Sequence, residues 1–142
     1  MVSLPRRRGG ALVSAGVLIA GGLGIHVLAP DTAATDVAGD LLYALLVYVL
    51  LVAAWPRLHP AMTGALALLW CGGVELFQLT GLPVAWAVGV PPLVLVLGTA
   101  FDPRDLAVYA VAAVGATFVD LFSRPPMPGT GAFARRSRAG DH

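Results

Sequence analysis

The sequence contains no lysine: its nine basic residues are all arginine. That preference reads as the codon bias of a GC-rich bacterial genome, not as chemistry. Charge of either sign is scarce, at 12% of residues against about 25% in soluble domains. The arginines sit at the ends of apolar runs and in a terminal tail, not along one face, which excludes a nucleic-acid surface. A single cysteine, Cys71, rules out an internal disulfide and, within an apolar run, reads as a small buried hydrophobe. There is no Gly-rich phosphate loop, His-Glu-x-x-His helix, paired-cysteine metal motif or Gly-x-Ser-x-Gly elbow. No cofactor or metal is therefore expected, and no reaction can be assigned. Nor does a chain of acidic residues run through the apolar segments, as a proton path would require.

Apolar surface is what the chain has in abundance. Its 142 residues fit one domain, and 58% are hydrophobic. So short a chain cannot hide that much apolar surface from water, so the expected solvent is a lipid bilayer. The fold class expected is all-α, an integral membrane bundle of four transmembrane helices. Residues 1–9 form a basic N-terminus, 10–122 the membrane domain and 123–142 a disordered basic tail rich in Pro, Gly, Ser and Arg.

The first span covers Gly10 to Ala29, 20 uncharged residues, the length a bilayer core requires. Val27-Leu28-Ala29 imitates a signal cleavage site, but the run exceeds the ~7–15 residues of a signal peptide and further spans follow. Gly16, Ala20 and Gly24 recur every four residues, a small-residue stripe suited to a homo-oligomer, a membrane protein partner or the bundle itself. Pro30 stops this helix. The second span runs from about Gly39 to Trp55 and the third from about Ala61 to Thr80. The last opens on Asp102 as N-cap, with Pro103 at the first helical position and Asp105 at the third, and continues to about Phe122.

Between the third and last spans, residues 81–98 are apolar but carry Pro83, Gly89, Pro91 and Pro92. Two successive prolines remove backbone donors and disfavour helix before them. Such a break facing lipid leaves backbone groups unsatisfied, so a re-entrant or interfacial hairpin is expected, with a fifth span as the alternative. Four spans place Arg6, Arg7, Arg8, Arg57, Arg124, Arg135, Arg136 and Arg138 on the cytoplasmic side and only Arg104 outside, as the positive-inside rule asks. Both termini are then cytoplasmic in a bacterial inner or plasma membrane.

This topology gathers the polar residues in one outer layer: Asp40 opening the second helix, Glu75 and Gln78 late in the third, Asp102, Arg104 and Asp105 at the start of the fourth. Asp40 with Tyr43, Glu75 with Gln78, and Asp105 with Tyr109 are three or four residues apart and share helix faces. The candidate cluster is therefore Asp40, Tyr43, Glu75, Gln78, Arg104, Asp105 and Tyr109. Glu75 lies five residues, roughly 7 Å, inside its span. A carboxylate at that depth faces the bundle, and the expectation is that it carries a proton or pairs with Arg104. Simpler readings stand beside these. Asp40, Asp102 and Asp105 suit helix N-termini, the tyrosines suit a membrane interface, His26 is an interfacial residue, and Asp120 with Arg124 is a surface pair.

Gly39-Asp40-Leu41-Leu42-Tyr43-Ala44, Val74-Glu75-Leu76-Phe77-Gln78-Leu79, Leu97-Gly98 with Phe101, and Asp105-Leu106-Ala107-Val108-Tyr109 together resemble the bacterial membrane family called domain of unknown function 2809. The likeness spans about Gly39 to Leu121. That family often has a basic residue between its second and third blocks, whereas residues 81–98 have none. The general plan is more loosely similar to VanZ-like proteins, which are associated with glycopeptide tolerance. The resemblance implies a membrane protein without an established reaction. Three roles follow from the residues: an envelope protein whose polar layer binds a lipid headgroup or partner, a small enzyme using clustered carboxylates on a lipid-linked substrate, or a transporter. The third lacks a second broken helix to match Pro91-Pro92.

Overall fold

A computed structural model describes residues 4–98 and 100–124. Among them there are only helices: α1 (Leu4–Leu28), α2 (Ala33–Ala54), α3 (Pro60–Gln78), α4 (Leu82–Gly89), a 3-10 turn (Pro91–Leu93), α5 (Val94–Leu97) and α6 (Pro103–Ser123). Four of them, α1, α2, α3 and α6, are long and apolar enough to cross a membrane. The tail beyond residue 124 lies outside the described residues.

Local chemistry sets the helix starts. Pro103 follows Asp102, whose Oδ1 accepts from the Arg104 N–H at 2.8 Å, the cap the sequence predicts. Pro60 opens α3 behind His59, whose Nδ1 accepts from the Ala61 N–H. α2 begins earlier than the expected Gly39. Thr32 and Thr35 cap each other, the Thr32 side chain accepting from the Thr35 N–H at 3.3 Å and Thr35 Oγ1 from the Thr32 N–H at 2.9 Å. Asp40 therefore does not open α2; it sits seven residues, about 10 Å, past Ala33. α1 likewise reaches back to Leu4, so Arg6, Arg7 and Arg8 lie within its first turns.

The packing suits lipid as solvent. Buried positions are filled mainly by small residues, Ala11, Ala15, Ala44, Ala67, Cys71, Ala112 and Ala113, around Tyr48 and Tyr109. Large apolar side chains such as Val13, Leu69, Val111 and Phe122 point outward. Small residues let backbones approach, which is how helices associate without a hydrophobic drive between them. α3 and α6 approach closely, antiparallel, where a Cβ on Gly64 would collide with Thr117 Oγ1. The helix-to-helix packing of α1 is against α2. Its buried Ala11 and Ala15 make that contact possible, while Gly16 and Ala20 are exposed and a Cβ on Gly16 or Gly24 would meet nothing. The Gly16–Ala20–Gly24 stripe thus faces away from the bundle.

The Pro-broken stretch does not cross. At eight residues, α4 is only about 12 Å long. Gly81, at φ 71°, turns the chain out of α3; α4, the 3-10 turn over Pro91–Leu93 and α5 then fold back on the end of α3, and α6 starts where α3 finished. At the opposite end, Arg7 Nη2 lies 2.6 Å from Asp120 Oδ2 while its Nη1 donates to Pro56 O. Tyr48 OH and Arg124 Nη2 also donate to Asp120, and Arg124 reaches Leu58 O at 2.6 Å. Asp120 and Arg124 are therefore no surface pair but part of a half-buried network joining α1, α2, α6 and the α2–α3 turn. Sequence spacing showed only the i,i+4 member of it.

Gly64→Ala is expected to destabilise the bundle by about 1–3 kcal/mol through overpacking. Thr117→Ala in the same chain removes the colliding atom and restores most of the loss, as read by thermal unfolding in detergent.

Candidate functional site

The polar residues of α2, α3 and α6 converge at the end of the bundle opposite the arginine network. Glu75 is wholly buried, and its Oε1 accepts from the Asp102 backbone N–H at 2.6 Å. One turn on, Gln78 Nε2 donates to Leu97 O at 2.8 Å. These two side chains hold the irregular chain between α5 and α6. That chain needs them, because backbone polar groups at membrane depth find no water. Gly98, at φ 65°, lies so close to Gln78 that a Cβ there would strike its Nε2. The expected pairing of Glu75 with Arg104 does not form. Arg104 instead lies 3.4 Å from Asp102 Oδ2 and 3.9 Å from Asp105 Oδ1, half-exposed at the rim. As a first-turn neighbour of both carboxylates it is held there by its own helix.

Asp40 of α2 stands beside Asp105 of α6, with Glu75 and Arg104 close enough to act on its charge. Tyr109, buried, is near all three carboxyls. Its ring centroid is 6.4 Å from that of Tyr43, whose hydroxyl accepts from Trp70 Nε1 at 3.0 Å. All seven residues expected from the sequence thus come to one end. Trp70 was missed, since nothing in its own helix pattern points across to α2. Three buried acceptors have no hydrogen-bond partner among the described residues: Glu75 Oε2, Gln78 Oε1 and Asp105 Oδ1. No group of three or more His, Cys, Asp or Glu among those residues is placed to hold a metal ion.

A cavity of about 820 Å³ opens at this end. Leu18, Ile19 and Leu23 of α1, Leu46 of α2, and Leu95 of α5 give it apolar walls. Asp31, Asp36, Asp40, Asp102, Asp105, Arg104 and His26 supply its charged or titratable lining. Spacing along the chain singles out neither Asp31 nor Asp36 and marks His26 only as interfacial, because their place in this lining depends on the gap between α1 and α5. Gln78, Tyr43 and Tyr109 also line it, whereas Glu75 sits behind that lining.

The family model described as "Protein of unknown function (DUF2809)" matches residues 29–113, more than half the chain, and the protein belongs to that family. Neither a curated protein nor a solved structure matches it.

If Glu75 acts as a backbone tether, the acceptor matters and the charge does not. Glu75→Gln is expected to leave the Asp102 amide protected from hydrogen exchange. Glu75→Leu strands a buried donor, at a cost of about 1–3 kcal/mol, and exposes residues 97–102 to exchange. Equal exchange in the two variants would overturn this role.

Proposed function

We propose that this protein sits in the inner or plasma membrane of a bacterium and holds a membrane-borne amphiphile in the cavity at its acidic end. The observation that carries this reading is the cavity's composition, apolar walls from α1, α2 and α5 below a charged mouth. Its volume falls within the ~300–1,000 Å³ of small-molecule sites. α1 packs along α2 and reaches α6 through Arg7 at the far end, so beside the cavity it stands as a single helix. An acyl chain lying along Leu18, Ile19 and Leu23 would leave its head group level with Asp36 and Asp40.

The orientation follows from charge. Arg6, Arg7, Arg8, Arg57 and Arg124 lie at one end and Arg104 at the other, so the arginine network is assigned to the cytoplasm and the cavity to the outer leaflet. A second reading draws on the adjacency of Asp40 and Asp105. Two carboxyls in one site are also the equipment of acid–base catalysis, here on a lipid-linked substrate. That reaction needs the same occupied cavity, so binding comes first.

A reporter fused after Arg124 is expected to be active only in its cytoplasmic form; an externally active fusion would reverse the assignment of leaflets. For occupancy, Gly22 offers a plug: it lines the cavity, and a Cβ there meets nothing within 4 Å. Protein extracted from bilayer nanodiscs is expected to retain bound lipid by native mass spectrometry, and Gly22→Phe to lose it with an unchanged melting temperature. Equal retention in the two proteins, or none in either, would overturn the binding role.

A further inference from the structure

The proposed occupancy leaves open what head group the cavity takes, and its polar atoms are lopsided enough to answer. Five carboxylates, Asp31, Asp36, Asp40, Asp102 and Asp105, line it against one arginine. That arginine already faces Asp102 and Asp105, so it offers little charge to a ligand. Asp40 and Asp105 meet side chain to side chain, and the one arginine that acts on both is Arg104 at the rim. Behind them Glu75, wholly buried, directs a further carboxyl at the same cluster, close to Asp105 and Tyr109, and its Oε2 has no partner. Gln78 Oε1 and Asp105 Oδ1, on cavity-lining residues, also lack a hydrogen bond, Asp105 Oδ1 having only the Arg104 Nε 3.9 Å away. The three buried side-chain atoms without a hydrogen-bond partner among the described residues are all acceptors.

Adding an anion to such a site adds acceptors to acceptors. An ammonium is the reverse, three N–H donors and no acceptor on a compact positive charge. Buried carboxylates at a membrane depth are costly until paired, so a cation here removes a penalty as well as forming bonds. The apolar walls require the same ligand to carry a hydrocarbon chain.

We infer that the cavity selects a lipid with a primary ammonium head group, its nitrogen received between Asp40 and Asp105. This rests on the occupancy proposed above.

The test uses the full chain in nanodiscs of phosphatidylethanolamine and phosphatidylglycerol in equal amounts with identical acyl chains, so that the heads differ in the ammonium. Lipid retained after extraction is counted by native mass spectrometry. The wild type is expected to retain phosphatidylethanolamine over phosphatidylglycerol by about tenfold, the factor that roughly 1.4 kcal/mol of differential binding gives. Asp40→Asn with Asp105→Asn should bring the ratio to the bulk value while lipid is still retained. A wild-type ratio at or below bulk, with lipid retained, would overturn the ammonium assignment and leave occupancy standing. No retained lipid would instead remove the occupancy reading itself. The wild-type ratio needs no variant, so a double variant that fails to fold does not shelter the inference. Free ethanolamine is expected to leave the lipid in place; displacement at millimolar concentration would make the ligand a soluble amine and overturn the lipid assignment.

Discussion

The hydrogen bond from the Asp102 amide to Glu75 decides how this chain passes from α3 to α6. A Pro-broken apolar stretch cannot cross a bilayer without exposing backbone groups to hydrocarbon. It can fold back only if something inside the bundle receives its loose ends. Glu75 takes the N–H at the start of α6, and Gln78, on the next turn of α3, takes the Leu97 carbonyl. The two polar residues that look most out of place in the third span thus keep the hairpin on the bundle. They also start α6 at the end where α3 finishes, which puts Asp105 beside Asp40.

The rest of the packing leaves the two ends unequal. At the arginine end, Asp120 receives Arg7, Tyr48 and Arg124, and both arginines continue to backbone carbonyls at Pro56 and Leu58. Four parts of the chain are drawn together there. Nothing comparable ties α1 at the other end, where it contacts α2 alone. A helix held at its arginine end and packed on one neighbour leaves a gap on its far side, and the cavity occupies that gap. Small residues at the helix crossings, such as Gly64 against Thr117, hold α3 and α6 closely together away from that gap.

Much of this was legible in sequence because the bilayer imposes simple rules. Span length and the prolines at 91 and 92 were enough for four crossings and a fold-back, and Asp102-Pro103 announced the start of α6. The start of α2 was not read, because its capping box uses Thr35 where the usual pattern has Glu or Gln. Without that turn, Asp40 passed for a helix-opening residue when it is a polar group two turns inside. The cluster was foreseen, but the partners of Glu75 and Gln78 were not. Those partners are backbone atoms of residues 102 and 97, and backbone atoms leave no trace in residue identity. Arg7 meeting Asp120 lay beyond spacing for a related reason, since 113 positions separate them and only the bundle's closure brings them together.

The contrast between the ends also bears on what the acidic residues are for. A protein that needed carboxylates only as helix caps would be satisfied with Asp102 and Thr32, which perform that task in α6 and α2. Asp40 caps nothing, and Asp105 keeps a buried oxygen without a hydrogen-bond partner. At the arginine end the same chain matches Asp120 with donors and gives Arg7 and Arg124 backbone carbonyls. Unmatched acceptors at one end therefore reflect a local demand rather than a general tolerance for unpaired charge. On the binding role proposed above, a donor-rich cation would meet that demand, and the apolar walls beside it suit the chain of a lipid.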